Sequence, residues 1–202
     1  MEERLSDGVE VNDPILWFQR SLERATQSES FDATRAALAT ASAQGHPSVR
    51  FVLVKQVDAR GFAFFTNYES RKARELAANP FAALSFHWAS LGEQVRVEGR
   101  VVNLPVEESE RYFALRPRIS QLGAWASEQS AEIADRQALD ARLAAVQARF
   151  GDAAAVPRPP HWGGLLLVPS SIEFWYERAG RLHDRWLFTR DNATWSVVRL
   201  QP

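Results

Sequence analysis

The chain has 202 residues, enough for one substantial core, with 24 Lys plus Arg against 25 Asp plus Glu and no cysteine. Balanced charge without a long basic run speaks against a nucleic-acid partner, and the missing thiols exclude disulfides, thiolate metal sites and cysteine nucleophiles. No apolar run reaches the roughly 20 residues of a membrane helix, and the opening MEERLSDGVEV lacks a signal-peptide core, so a cytoplasmic protein without membrane contact is expected. Seven tryptophans suit a ring-shaped ligand, a large subunit interface or a generous core.

Residues 1–12 are polar, acidic and aperiodic, as expected of a mobile arm ahead of a single domain over 13–202. Asp13-Pro14 starts a helix, with Ile15, Leu16, Phe18, Leu22 and Ala25 at helical spacing. Ala36 to Ala41, Ser48 to Val57 and Phe62 to Thr66 then read as three strands of an antiparallel meander. Both faces of the second strand are apolar, which predicts burial on both sides. Arg50 and Lys55 stand five positions apart on it, so a regular strand points them to opposite faces unless it bends. Anionic ligands would account for both, as would basic stems reaching solvent at the strand ends.

Ser70 is placed to cap a helix beginning Arg71-Lys72. Two cations in a first turn oppose the helix dipole, and a bound phosphate closed over by Arg71 and Lys72, with Thr66 and Ser70 hydroxyls nearby, resolves that conflict. A solvated helix start is the plainer alternative. Asn79-Pro80 ends the helix, Phe81 to Trp88 reads as a strand, and Gln94 to Leu104 alternates clearly, with Gln94 offering an amide able to read a heterocycle edge. Pro105 opens a helix in which Tyr112 and Arg116 share one face, and Pro117 stops it. Residues 116–130 read as a loop crowded with donors, namely Arg116, Arg118, Ser120, Gln121, Gln129 and Ser130. Tyr112, Arg116 and Ser120, joined by a lysine such as Lys55, would make a second phosphate cradle.

Asp135 to Phe150 is an amphipathic helix presenting Leu139, Leu143, Val146 and Phe150 to the core. The last sheet segment begins at Leu165 to Val168. The four histidines have no metal-ligand spacing, so no metal is expected, and no glycine-rich nucleotide loop is present. Ile172 to Arg185 reads as a hairpin turning at Glu177 to Gly180. If Arg181 to Arg185 is extended, Arg181, His183 and Arg185 share one face, with Trp175 on the neighbouring strand as an aromatic wall. That row suits a planar or anionic ligand; a solvated hairpin edge would use the same residues.

Several segments occur in a telling order: RFVLVK at 50–55, TNYESRKARELAANP at 66–80, RPRISQLGAWASEQS at 116–130, HWGG at 161–164, IEFW at 172–175, RLHDR at 181–185 and RLQP at 199–202. Together they resemble the pyridoxine/pyridoxamine 5'-phosphate oxidase family of FMN enzymes, over nearly the whole chain from Asp13. The resemblance implies a mainly β, α+β fold, an antiparallel FMN-binding split β-barrel with flanking helices, forming a homodimer with two FMN sites built from both subunits. It implies FMN contacts from Arg50, Phe51, Val52, Leu53, Val54, Lys55, Phe65, Thr66, Arg71, Lys72, Gln94, Gln129, Ser130, Trp175 and Arg185. It implies that Lys55, Tyr112, Arg116 and Ser120 hold the substrate phosphate, with Arg181 and His183 over the pyridine ring as the catalytic pair. The activity implied is oxidation of pyridoxamine or pyridoxine 5'-phosphate by O2 to pyridoxal 5'-phosphate and hydrogen peroxide. The alternatives are an FMN oxidase of another ring, such as a phenazine precursor, and a non-catalytic binder of flavin or pyridoxal phosphate.

Overall fold

In the computed structural model residues 13–152 and 155–202 are described, and the arm expected over 1–12 lies outside them. Helix α1 (Pro14–Ser28) starts where expected, because the Asp13 carboxylate accepts from the backbone N–H of Ile15 at 2.9 Å and of Leu16 at 3.1 Å. Its buried face, Ile15, Phe18, Ser21 and Ala25, plugs the sheet. Phe18 meets Phe62 and Phe86 edge-on, each at 4.8 Å between centroids.

Eight strands form one antiparallel sheet: β1 (Arg35–Ala41), β2 (Pro47–Asp58), β3 (Gly61–Asn67), β4 (Phe81–Trp88), β5 (Glu93–Asn103), β6 (Trp162–Tyr176), β7 (Asp184–Asp191) and β8 (Thr194–Leu200). Their order is β3-β2-β1-β4-β5-β6-β7-β8, and an additional β3–β6 pairing closes the first six into a barrel. The expected meander is present as β1–β2–β3. The alternation read in β5 is real: Val95, Val97 and Val101 are buried and their neighbours are not. The hairpin of β7 and β8, turning at Asn192 with φ 54°, adds a pair the sequence reading did not mark.

Helices α2 (Arg71–Ala78), α3 (Val106–Leu115), α4 (Arg118–Ala126) and α5 (Arg136–Phe150) cover the barrel. Here the expected loop over 116–130 is corrected. Nine of its residues are helix α4, entered through Pro117 and seated by buried Gln121, Leu122 and Ala126. Pro117 both stops α3 and starts α4. Helix α5 buries none of its residues fully; Leu143, Val146 and Phe150 lean on a second cluster of Phe113, Leu122, Val156 and Trp162, making α5 a covering layer and not a core helix.

Strand β2 is also corrected, because only one of its faces is buried within the chain. Val54 is 3 % exposed, whereas Val49, Phe51 and Leu53 on the other face are 70, 73 and 40 % exposed. The puzzle of Arg50 and Lys55 has a local answer: the pairing with β3 shifts register between Val54 and Gln56, so a bulge at Lys55 interrupts the alternation.

A second register shift lies between Glu98 and Gly99, where β5 passes β6. A Cβ on Gly99 would stand 2.1 Å from the Val168 carbonyl oxygen, whereas a Cβ on Gly123 in α4 would meet nothing within 4 Å. Gly99→Ala is therefore expected to destabilise by about 2–3 kcal/mol, because backbone must move, and Gly123→Ala to stabilise by up to about 1 kcal/mol. Urea unfolding of the two variants checks both signs.

Candidate functional site

The turn between β3 and α2 places Lys72 inward. Its ammonium is buried and donates to Thr66 Oγ1 at 3.1 Å, Ser70 Oγ at 3.1 Å and Gln129 Oε1 at 3.0 Å, all neutral oxygens. The Ser70 hydroxyl is thus an acceptor for Lys72 and makes no side-chain cap, which corrects the capping expectation. Burial, with Arg50 adding like-charge repulsion, pulls Lys72 down to about 8. Arg50 and Arg71 differ, since both pair with the buried Glu75 carboxylate, Arg71 at 2.8 Å and Arg50 at 3.4 Å. Burial pushes Glu75 up, but bonds from Ser48, Thr40 and Arg71 outweigh it and hold the acid at about 2.

Helices α3 and α4 contribute a second cation. Arg116, at the end of α3, lies 4.6 Å over the Trp162 ring, and its buried Nη1 has no hydrogen-bond partner among the described residues. Burial lowers its pKa. Tyr112, one turn earlier, stacks on Phe65 with ring centroids 3.8 Å apart, and Phe65 stacks on Trp162 at 5.6 Å. The approach of these rings to β6 needs Gly164, where a Cβ would stand 2.9 Å from Phe65 Cε1 and 2.5 Å from Leu104 Cδ1.

One cavity of about 330 Å³ joins the two cations: its lining includes Thr66 and Gln129, which accept from Lys72, together with Phe65, Arg116, Ser120 and Trp162. Trp162, Asn67 and Ser127 also line it and were not singled out from sequence. The tryptophan of HWGG, directly before two glycines, was the available signal. Of the expected FMN contacts on β2, Arg50 turns to Glu75, Val52 packs on the core, Val54 lies within it, and Phe51 and Leu53 face outward. Lys55 donates to Asp32 at 3.1 Å and does not line the cavity. Ser130 is exposed in a left-handed conformation, φ 72°.

The remaining expected residues form a separate patch. Gln94, Trp175 and Arg185 are cross-strand neighbours on β5, β6 and β7. His183 lies against Trp175, centroids 4.4 Å apart. Arg185 donates to Glu173 at 2.8 Å, which raises the arginine's pKa; Glu173 also receives Arg96, and these bonds outweigh burial to lower the acid. Arg181 departs from the expected row. It follows Gly180 in a left-handed turn, φ 68° and 63°, so β7 begins only at Asp184 and Arg181 stands exposed at the turn. Trp175 in this patch stands eleven positions along β6 from Gly164 beside the cavity, on the order of 30 Å along the strand.

Comparison with known proteins gives consistent results. A family model described as pyridoxamine 5'-phosphate oxidase matches residues 24–150, and one described as the pyridoxine 5'-phosphate oxidase C-terminal dimerisation region matches residues 162–202. A pyridoxine/pyridoxamine 5'-phosphate oxidase of Anaeromyxobacter dehalogenans is 59 % identical over 94 % of this chain and 96 % of its own. The protein of that name from Burkholderia lata is 53 % identical over 98 % of this chain and 93 % of its own. Among solved structures, PhzG from Burkholderia lata, in complex with tetrahydrophenazine-1-carboxylic acid, matches with a TM-score of 0.88 and 34 % identity, covering 97 % of this chain and 95 % of that one. A pyridoxamine 5'-phosphate oxidase-related, FMN-binding protein from Nostoc punctiforme shares the fold, with a TM-score of 0.75 at 18 % identity over 94 % of this chain and 98 % of that one.

Lys72, buried without a carboxylate partner among the described residues, sets stability of the ligand-free chain against affinity for any anion in the cavity. Lys72→Met is expected to stabilise the ligand-free chain by about 1–3 kcal/mol and, if the cavity takes the expected FMN, to weaken its binding at least roughly tenfold. The sign of the pH effect follows from the depressed folded-state value, about 8 against an ordinary 10.5. Below pH 8 both folded and unfolded states carry the proton and the penalty is constant; between the two values the unfolded state holds more protons, so stability rises with pH. Urea unfolding from pH 7.5 to 10 should show that rise in the parent and not in Lys72→Met, with FMN titration reading the other arm.

Proposed function

The chain belongs to the pyridoxamine 5'-phosphate oxidase family, and from that premise we propose that it oxidises pyridoxamine and pyridoxine 5'-phosphate to pyridoxal 5'-phosphate with bound FMN, using O2 and releasing hydrogen peroxide. The observation that carries this reading is one cavity lined by half-buried Arg116, with its Nη1 orphaned, and by Thr66 and Gln129, the acceptors of buried Lys72, neither cation being paired with a carboxylate among the described residues. Two phosphates, one of a cofactor and one of a substrate, match that demand in charge and in hydrogen-bond acceptors.

The residues fit the cofactor. Lys72, Thr66 and Gln129 would offer an ammonium, a hydroxyl and an amide to the FMN phosphate, and the buried Nη1 of Arg116, without a partner among the described residues, is open to an acceptor of its own. When bound, FMN supplies the two-electron acceptor for oxidation at C4' of the substrate and passes the electrons to O2. The chain supplies placement. Arg116 with Tyr112 and Ser120 would grip the substrate phosphate, so that binding energy remote from C4' fixes the reacting carbon. Arg185, tethered by Glu173, would lie at the flavin ring with Gln94 and Trp175, while Arg181 and His183 orient the pyridine ring.

A single chain holds the patch of Gln94, Trp175 and His183 far along β6 from the cavity, so the complete site draws these residues from the other subunit of a homodimer. Two observations support this: residues 162–202, which contain β6 to β8, match a dimerisation region, and Val49, Phe51 and Leu53 form an uncovered apolar row on β2.

Aerobic incubation of the FMN-loaded protein with pyridoxamine 5'-phosphate should yield pyridoxal 5'-phosphate and peroxide in equal amounts; absence of both, with reducible FMN bound, overturns the reading. Arg116→Ala is expected to raise KM about 10–100-fold with kcat little changed, whereas Arg181→Ala also lowers kcat. Unfolding and refolding these two variants together should restore about one quarter of the parent activity at low substrate, because half the dimers are hybrids and each hybrid has one intact site. The likeness to PhzG favours a second reading, oxidation of a phenazine precursor, which needs no phosphate cradle. Turnover of such a ring that Arg116→Ala leaves unchanged would select it.

A further inference from the structure

We infer that Asp184 is a positioning residue: held by two arginines, it acts through Arg178 to fix His183 as the neutral tautomer whose proton is on Nε2, leaving that N–H as the donor toward substrate. The role toward substrate rests on the proposed function; the tautomer does not.

The turn between β6 and β7 is built around this carboxylate. Gly180 and Arg181 take consecutive left-handed conformations, which folds Arg178 back onto the start of β7. Asp184 is 6 % exposed and forms the first cross-strand pair of the hairpin with Tyr176. Its Oδ2 accepts from Arg178 Nε at 2.7 Å, and its Oδ1 accepts from Arg199 on β8. Both carboxylate oxygens are engaged, so the acid fixes the Arg178 side chain and ties the turn to the last strand.

Arg178 carries the restraint to the histidine through its backbone. The Arg178 N–H donates to His183 Nδ1 at 3.2 Å, while the ring rests on Trp175. A backbone amide can only donate, so Nδ1 must present its lone pair, and the proton of the neutral ring then lies on Nε2. A doubly protonated ring would set Nδ1–H against the Arg178 N–H, and the opposite tautomer would do the same. The fold therefore selects a hydrogen-bond donor at Nε2, suited to an anionic or lone-pair oxygen on the ring substrate.

The test reads the tautomer directly, by ¹⁵N NMR of histidine-labelled, FMN-loaded protein. There are four histidines, His46, His87, His161 and His183, and His183→Asn assigns the signal by its loss. In the parent, Nδ1 of His183 should resonate as an unprotonated and Nε2 as a protonated nitrogen. Asp184→Asn should average the two, and Arg178→Gln, which keeps the backbone N–H but loses the anchor, should do the same if Asp184→Asn does not fold. With pyridoxamine 5'-phosphate, either variant should lower kcat roughly tenfold while KM moves little, and Arg178→Lys should recover most of it. A parent spectrum with the proton on Nδ1, or variants with the parent spectrum, overturns the inference. If the parent does not turn over pyridoxamine 5'-phosphate, the proposed function fails while the spectra still decide the tautomer.

Discussion

The length and pairing of β6 constrain everything else. Its first half hydrogen-bonds to β3 and closes the barrel; its second half leaves β3 and carries β7. β5 runs beside both halves, and the register slip at Gly99 marks the passage from one to the other. Because a strand advances about 3.3 Å per residue, residues at its two ends cannot reach one small ligand within one chain. The cavity beside Gly164 and the patch beside Trp175 are thus held apart by the element that makes the barrel. Association of two chains is then a requirement of the geometry for any ligand that needs both sets.

The distribution of charge separates structural cations from available ones. Glu75 lies between Arg50 and Arg71, Glu173 between Arg96 and Arg185, and Asp184 between Arg178 and Arg199. Each carboxylate is nearly buried and each is bracketed by two guanidiniums, an arrangement that satisfies its lone pairs and leaves one positive charge over. Among the described residues Lys72 and Arg116 have no such acid; Arg116 lines the cavity, and Lys72 borders it through its acceptors Thr66 and Gln129. The bracketed arginines hold backbone and side chains in place with charge to spare, while the two unbracketed cations carry the desolvation cost that an anion would relieve.

Much of the fold was legible because one periodicity dominated each segment. Helix α1 combined a cap with helical spacing, and β5 alternated without interruption. The errors fall where two causes write the same residues. An apolar side chain left exposed on a strand reads like one meant for the core, hence the two-sided burial expected of β2, where Val49, Phe51 and Leu53 are exposed. Pro117 and the many donors of 116–130 look like a loop, although proline also starts helices and the donors are divided among the end of α3, both sides of α4, with Gln121 buried, and the turn that follows it. Arg181 was placed in a regular strand because positive φ is uncommon outside glycine and no sequence signal announces it at an arginine. Lys72 stood out for the opposite reason: two cations in a first turn oppose the helix dipole, and while Arg71 is answered locally by Glu75, Lys72 is turned inward onto Thr66 and Gln129.

These local violations coincide with the site. Among the described residues, a lysine buried without an acid, an arginine nitrogen without an acceptor and an arginine in a left-handed turn each cost the isolated chain stability. Repacking Lys72 as an apolar residue would remove its cost with little change in volume, and the barrel, closed by backbone pairing and aromatic packing around Phe18, does not depend on it. What the charge provides is a difference between states. A phosphate that restores Lys72 to its ordinary ionisation returns the desolvation penalty as binding energy, and a neutral ligand of the same shape returns none. On the proposed function, selectivity for phosphorylated ligands would arise from an unfavourable ligand-free state, and the cavity would discriminate by what it lacks as much as by what it offers.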